Sequence, residues 1–130
     1  MRNTWKGVQE EEVGKIPMDV FMKLITSRAR RTLERLNSHP KLKAFYEKLR
    51  NAQTSKKKKP LKTHVREAII LPEMVGMEFL VYNGKEYKKI VIDYTMLGLR
   101  LGDFSHTTTR VLHSGPGVGA TRGSKFVPLK

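Results

Sequence analysis

Apolar residues recur at helical spacing from Val20 to Leu36: Val20, Phe21, Leu24, Ile25, Ala29, Leu33 and Leu36 trace one stripe. Pro17 suits the first turn of that helix and Asp19 its positive end. Asn37-Ser38-His39-Pro40 interrupts the stripe, and Ser38 is placed to cap a second helix carrying Leu42, Phe45 and Leu49 on a narrow apolar face. Two helices joined by a short break predict a helical hairpin over residues 16–52. Periodicity is then lost through Asn51 to Lys62, and residues 53–62 read as a lysine-rich linker.

Beyond the linker the pattern shortens. Val65, Ile69, Ile70 and Leu71 make Thr63 to Leu71 strand-like, and Leu71 to Gly76 reads as a helical turn started by Pro72 and stopped by Gly76. Asn83-Gly84 between apolar-rich runs predicts a hairpin, because a type I′ turn needs two positive φ angles and these residues tolerate them best. Met77 to Tyr82 then pairs with Lys85 to Ile92. A two-residue turn sets Leu80 opposite Tyr87 and Glu78 opposite Lys89, whereas a longer loop shifts that register. Asp93 is suited to cap a short helical segment carrying Leu97, Leu101 and Phe104, with Gly98 and Gly102 allowing close approach or a stop. The expected fold class is α+β: a small three-stranded sheet with packed short helices over residues 63–112, preceded by the basic helical hairpin.

The two ends are polar. Met1 to Lys15 contains Glu10-Glu11-Glu12 and reads as a solvated tail or as a contact with a basic neighbour, while Trp5 is expected to pack on the core or on a partner. Residues 113–130 are too rich in Gly and Pro for regular structure, and form a basic tail expected to be disordered when the protein is free and to order on RNA.

Charge narrows the partner. At 130 residues the chain suits one domain, and 26 Lys plus Arg against 12 Asp plus Glu leave +14, which makes a polyanion the expected partner. The stretch from Arg28 to Lys62 holds 13 basic and 2 acidic residues, and Ser105 to Lys130 holds no acidic residue at all. Nucleic acid, an anionic membrane and an acidic protein all satisfy the charge. Membrane is the weakest of these, since no apolar run approaches the ~18 residues that suggest a span and the start has no apolar region of a secretory signal. The absence of cysteine excludes disulfides and thiolate metal sites, and a soluble intracellular protein is the economical reading.

Catalytic chemistry finds no support. Gly115-x-Gly117-x-Gly119 is not the dinucleotide fingerprint, and Gly123-Ser124-Lys125 inverts the order that a phosphate-binding loop needs. His39, His64, His106 and His113 lack ligand spacing, and Asp93 and Asp103 are better explained as a cap and a turn residue than as an acid/base pair. No enzyme activity, cofactor or metal is expected. The candidate RNA-binding residues are instead Arg28, Arg30, Arg31 and Arg35 on the first helix, Lys56, Lys57, Lys58, Lys59 and Lys62 in the linker, Asn83, Lys85 and Arg100 in the core, and Arg110, His113, Arg122, Lys125 and Lys130 toward the carboxyl end. The lysine run also suits nuclear import. On charge alone, a free RNA chaperone, a DNA-compacting protein and an adaptor for acidic proteins stay open.

Asn83-Gly84-Lys85, Ile92, Leu97-Gly98, Leu101-Gly102-Asp103-Phe104 and Thr107 fall at the spacing of a known signature. They resemble the universal ribosomal protein of the small-subunit head, numbered nineteen in the bacterial scheme and fifteen in the eukaryotic one. Pro72 to Gly76, Gly115 to Thr121 and Phe126 to Lys130 look like its archaeal and eukaryotic branch, and Ser27-Arg28-Ala29-Arg30-Arg31 matches more loosely. The chain departs from that branch at Asp93 to Met96, which lacks a proline, at Leu99-Arg100, and at Ser114 between His113 and Gly115. The resemblance implies a structural protein bound to the 3′ domain of small-subunit rRNA. It also implies neighbouring head proteins, a bridge to the large subunit and a carboxyl-terminal tail near the decoding region and tRNA. By matched position it favours Asn83, Lys85, Arg110, His113 and Arg122 as contacts. The implied location is the cytoplasmic ribosome, with nucleolar passage during assembly in a eukaryote.

Overall fold

The computed structural model describes residues 4–54 and 59–111. The polar amino-terminal stretch is folded rather than a solvated tail. Strands β1 (Thr4–Trp5) and β2 (Val8–Gln9) pair antiparallel around Lys6 and Gly7, both at positive φ, and the short helix α1 (Glu10–Val13) follows. Two apolar side chains anchor it: Trp5 stacks on Phe21 with centroids 5.8 Å apart, and Val13 is fully buried. Glu10, Glu11 and Glu12 stay on the exposed side of α1.

The first long stripe is divided between α2 (Met18–Leu24) and α3 (Ser27–Glu34). Ile25 and Thr26 are extended at the break, and this kink lets Phe21, Ile25 and Ala29 all reach the core while Val20 is left exposed. A 3₁₀ turn (Leu36–Ser38) leads to α4 (Pro40–Thr54). Ser38 lies inside that turn and does not cap α4; the helix starts on a proline, with Lys43 N–H donating to the His39 carbonyl at 3.1 Å. Leu42, Phe45 and Leu49 are buried as the spacing requires, and Tyr46 joins them.

Strands β3 (Leu61–Thr63), β4 (Glu78–Tyr82) and β5 (Tyr87–Val91) form the expected three-stranded sheet in sequence order, with β3 parallel and β5 antiparallel to β4. Phe79, Val81 and Ile90 face inward, and Phe79 meets Phe45 of α4 at 6.2 Å. The hairpin register differs from the two-residue expectation. Tyr82 pairs with Tyr87, Leu80 with Lys89 and Glu78 with Val91, around a loop of Asn83, Gly84, Lys85 and Glu86. The cause is the Asn83 side chain, whose Oδ1 accepts the Lys85 and Glu86 N–H groups, each at 2.9 Å, and so closes a longer loop. The slip is an even number of residues, so every side chain keeps its face. Glu78 and Lys89 still meet, diagonally, at 2.9 Å, an exposed pair worth little to stability.

Thr63 to Leu71 is not one strand. After Thr63 the chain leaves the sheet, and the buried run Ala68 to Leu71 finds other partners. Ile70 N–H donates to Leu99 O at 2.9 Å, Gly98 N–H to Ile70 O at 3.0 Å, Leu101 N–H to Ala68 O at 3.0 Å and Gly102 N–H to Arg66 O at 2.9 Å. Ile69 lies between these bonds and is satisfied by one side chain: the Tyr46 hydroxyl donates to Ile69 O and accepts from Ile69 N–H, both at 3.0 Å. The opposite segment is correspondingly irregular. In place of one helix after Asp93 there are two 3₁₀ turns, Tyr94–Met96 and Leu101–Phe104, separated by Gly98 at φ +76. Asp93 caps the first as expected, accepting Tyr94 N–H at 2.8 Å, and Pro72–Met74 forms the expected turn before Gly76. Beside Gly98 a Cβ would come within 3.0 Å of Ile25 Cγ2, so a side chain there meets both backbone strain and a packed neighbour.

Burial raises the Tyr46 phenol above its ordinary pKa, against the opposing bond from Ile69. Tyr46→Phe strands both backbone groups of Ile69 and is expected to cost about 1–3 kcal/mol in urea unfolding. Above about pH 10 the unfolded chain releases a phenolic proton that folded Tyr46 retains, so stability falls as pH rises. That component of the alkaline loss should be missing in Tyr46→Phe.

Candidate nucleic-acid interface

The four arginines of the first helical region do two different jobs. The last-turn carbonyls of α2 have no helical donor of their own. Arg30, half-buried on α3, supplies one: its Nε donates to Met22 O at 2.8 Å, and its Nη2 lies 3.4 Å from both Lys23 O and Ile25 O. Lys6 Nζ adds a bond to Leu24 O. Arg28, Arg31 and Arg35 are exposed, and their side chains make no hydrogen bond or ion pair among the described residues. Arg30 is therefore committed to holding α2 against α3, while the other three present charge to solvent.

Arg66, absent from the sequence candidates, is committed in the same way. Its Nη1 donates to Tyr82 O at 2.7 Å and its Nη2 to Gly102 O at 2.9 Å and Ser105 O at 2.5 Å, joining the end of β4 to the last 3₁₀ turn. Gly102 packs so closely that a Cβ would sit 3.0 Å from both Arg66 Cβ and Arg66 O. Nothing local marks Arg66 out, because its three acceptors lie 16 to 39 residues away. Arg100 is half-buried and bridges to Ile69, and its backbone N–H bonds Asp103 Oδ2 at 3.1 Å.

One end of the sheet gathers several candidates. Asn83 shapes the loop, Lys85 is exposed upon it, and Lys62 of β3 holds its ammonium 5.5 Å from the centre of the Tyr87 ring. Beside them, His64, Tyr82 and Tyr87 pack together on the sheet. Lys59 and Arg110 are also exposed, whereas Lys56, Lys57, Lys58, His113, Arg122, Lys125 and Lys130 lie outside the described residues, as does the expected basic tail. The surface is not uniformly basic. A groove of about 350 Å³ between α2, α3 and α4 has Met22, Leu33 and Leu49 in its lining, with the carboxylates of Asp19, Glu34 and Glu73 and the guanidinium of Arg50 around them. Among the described residues no cluster of three His, Asp or Glu could hold a metal, and no helix is long and apolar enough to cross a membrane.

Exposed cations on a small α+β core agree with the earlier resemblance, and comparison with known proteins decides it. The model for the family described as Ribosomal protein S19 matches residues 31–113. The chain belongs to the ribosomal protein S19 family. It is 44% identical over 127 residues to a protein of Metallosphaera sedula, covering 97% of this chain and 90% of that one. It is 46% identical over 127 residues to one of Thermoplasma acidophilum, covering 98% and 80%, and 40% identical over 126 residues to one of Cenarchaeum symbiosum, covering 97% and 95%. Each of the three is named small ribosomal subunit protein uS19. These relatives place the chain in the archaeal branch of a structural, non-enzymatic ribosomal family.

The two classes of arginine separate by experiment. Arg66→Gln is expected to lower the free energy of unfolding by about 1.5–3 kcal/mol, because a charged donor to three carbonyls is removed. Arg31→Gln should stay within about 0.5 kcal/mol of the parent, as for a surface change that breaks no interaction.

Proposed function

We propose that this protein is a structural constituent of the small ribosomal subunit that binds the 3′ domain of its rRNA in the head. The observation that carries this reading is the division of cations. Arg30 and Arg66 bond carbonyls inside the fold, while Arg28 and Arg31 on α3, Arg35 at its end, Lys62 on β3 and Lys85 in the loop that Asn83 closes stand exposed. Cations held at set points recognise the shape of a folded RNA, whereas a flexible basic chain neutralises any polyanion.

The same reading gives residues 113–130 a role beyond the core, reaching toward the decoding region and tRNA, with Arg122 and Lys125 neutralising phosphate. It also includes contacts with neighbouring head proteins and a bridge to the large subunit, in cytoplasmic ribosomes. The groove, with three carboxylates of Asp19, Glu34 and Glu73 against the one cation of Arg50 in its lining, supports a protein neighbour there, since the carboxylates outnumber the cation and repel phosphate.

A free nucleic-acid chaperone of equal charge gives a different binding profile. At physiological salt, the full chain is expected to hold an in vitro transcript of the rRNA 3′ domain against excess duplex DNA. Replacing Arg28, Arg31 and Arg35 together by Gln should flatten the plot of log affinity against log salt, by about 0.7–0.9 for each phosphate no longer neutralised. DNA competing equally well would contradict the ribosomal reading.

A further inference from the structure

The outer face of the sheet carries one cluster unlike its other positions. Tyr82 is the cross-strand partner of Tyr87, and His64, the first residue after β3, packs against both. The three rings form a closed triangle, with centroids 4.6 Å (His64–Tyr82), 5.2 Å (Tyr82–Tyr87) and 5.4 Å (His64–Tyr87) apart. They lie on the side opposite Phe79, Val81 and Ile90 and are not part of the core; Tyr87 keeps 39% of its surface exposed. Their polar ends are tied down. Tyr87 Oη and His64 Nε2 are 2.6 Å apart, and Tyr82 Oη donates to Gly84 O at 2.8 Å.

Tethered rings lose little freedom on binding and offer π surface. Around them positive charge predominates. Lys62 holds its ammonium over one face of the Tyr87 ring, 5.5 Å from its centre, and Lys85 is on the adjoining loop; of the nearby acids, Glu78 is paired with Lys89 and Glu86 sits next to Lys85. An aromatic surface flanked by ammonium groups matches the two halves of a nucleotide, base and phosphate, whereas an apolar protein anchor would gain nothing from the cations.

We propose that the His64–Tyr82–Tyr87 cluster is a base-stacking site that takes one unpaired base of RNA, with Lys62 and Lys85 holding the adjacent phosphates. This deepens the ribosomal reading and rests on its RNA partner. It gives the sheet face a direct role in binding, separate from the arginines of α3.

The test uses the full chain and the transcribed rRNA 3′ domain. Tyr87→Ile removes the ring but keeps a residue that suits an edge strand, while Tyr87→Phe keeps the ring and drops only the hydroxyl. Tyr87→Ile should bind about fivefold more weakly or worse, the size of one base–ring stacking interaction, with the salt slope unchanged. Tyr87→Phe should bind within about twofold of the parent, and Lys62→Gln should instead lower the salt slope by about 0.7–0.9. Ultraviolet crosslinking of the unaltered protein supplies a readout independent of variant folding: crosslinked bases should map to His64, Tyr82 or Tyr87. Crosslinks found only elsewhere, or a folded Tyr87→Ile that binds like the parent, would overturn the proposal. So would a Tyr87→Ile defect in subunit incorporation without a defect in RNA binding, which would give the cluster to a protein neighbour. If the parent chain itself shows no preference for the rRNA fragment over DNA, it is the ribosomal reading that fails.

Discussion

Ala68, Ile69 and Ile70 are buried in a stretch that has left the sheet, so their backbone polar groups need partners that no regular element supplies. Much of the architecture answers that need. The segment from Gly98 to Gly102 lies alongside and bonds Arg66, Ala68 and Ile70, and α4 is placed so that one tyrosine hydroxyl completes Ile69. Gly98 and Gly102 follow from the same demand, one turning the chain at positive φ and the other letting it pass against Arg66. The Arg66 guanidinium closes the arrangement by tying Tyr82 to Gly102 and Ser105, so the sheet end and the last turn move as one piece. Removing any of these groups leaves buried dipoles unpaired, which costs more than the bond is worth when formed.

This scaffold determines which cations remain open to a partner. Of the 26 basic residues, those that bond carbonyls inside the fold act as fasteners, as Arg30, Arg66 and Lys6 do. Those on the free face of α3 and at the loop end of the sheet are held out by elements whose other sides are buried, since Ala29 lies under α3 and Val81 under the ring cluster. Position on a rigid element, rather than charge, separates the two groups. Net charge alone would suit any polyanion, while this partition suits one with a fixed surface.

Much of the fold was legible from spacing. The stripes from Phe21 to Leu49 located helices, Pro72 and Gly76 bracketed a turn, Asn83-Gly84 marked a hairpin, and Asp93 marked a cap. What sequence patterning missed depends on distant partners or on what one side chain does locally. The break at Ile25 and Thr26 is understood only once Trp5 and Gly98 occupy the space beside it. The register followed from Asn83 bonding its own loop; Trp5 packs on the core as expected, against Phe21, while the short strands and helix around it left no pattern in the polar stretch. For the interface, Arg28, Arg31, Arg35 and Lys85 are exposed; charge spacing grouped Arg30 with them, and only a hydrogen bond to a carbonyl eight residues away shows its structural use. The ring cluster was invisible because it brings His64, just past β3, against Tyr82 and Tyr87 of β4 and β5, 18 and 23 residues away, which no local pattern encodes.

A folded, cation-bearing core that belongs to the small ribosomal subunit differs from a free nucleic-acid binder in where it sediments. The most direct measurement is sucrose-gradient sedimentation of a lysate at moderate salt, with and without nuclease, following the protein by mass spectrometry. A subunit constituent should be found at about one copy per small subunit, present also in complete ribosomes and released when the RNA is digested. Recovery mainly in light fractions, or on DNA, would contradict it.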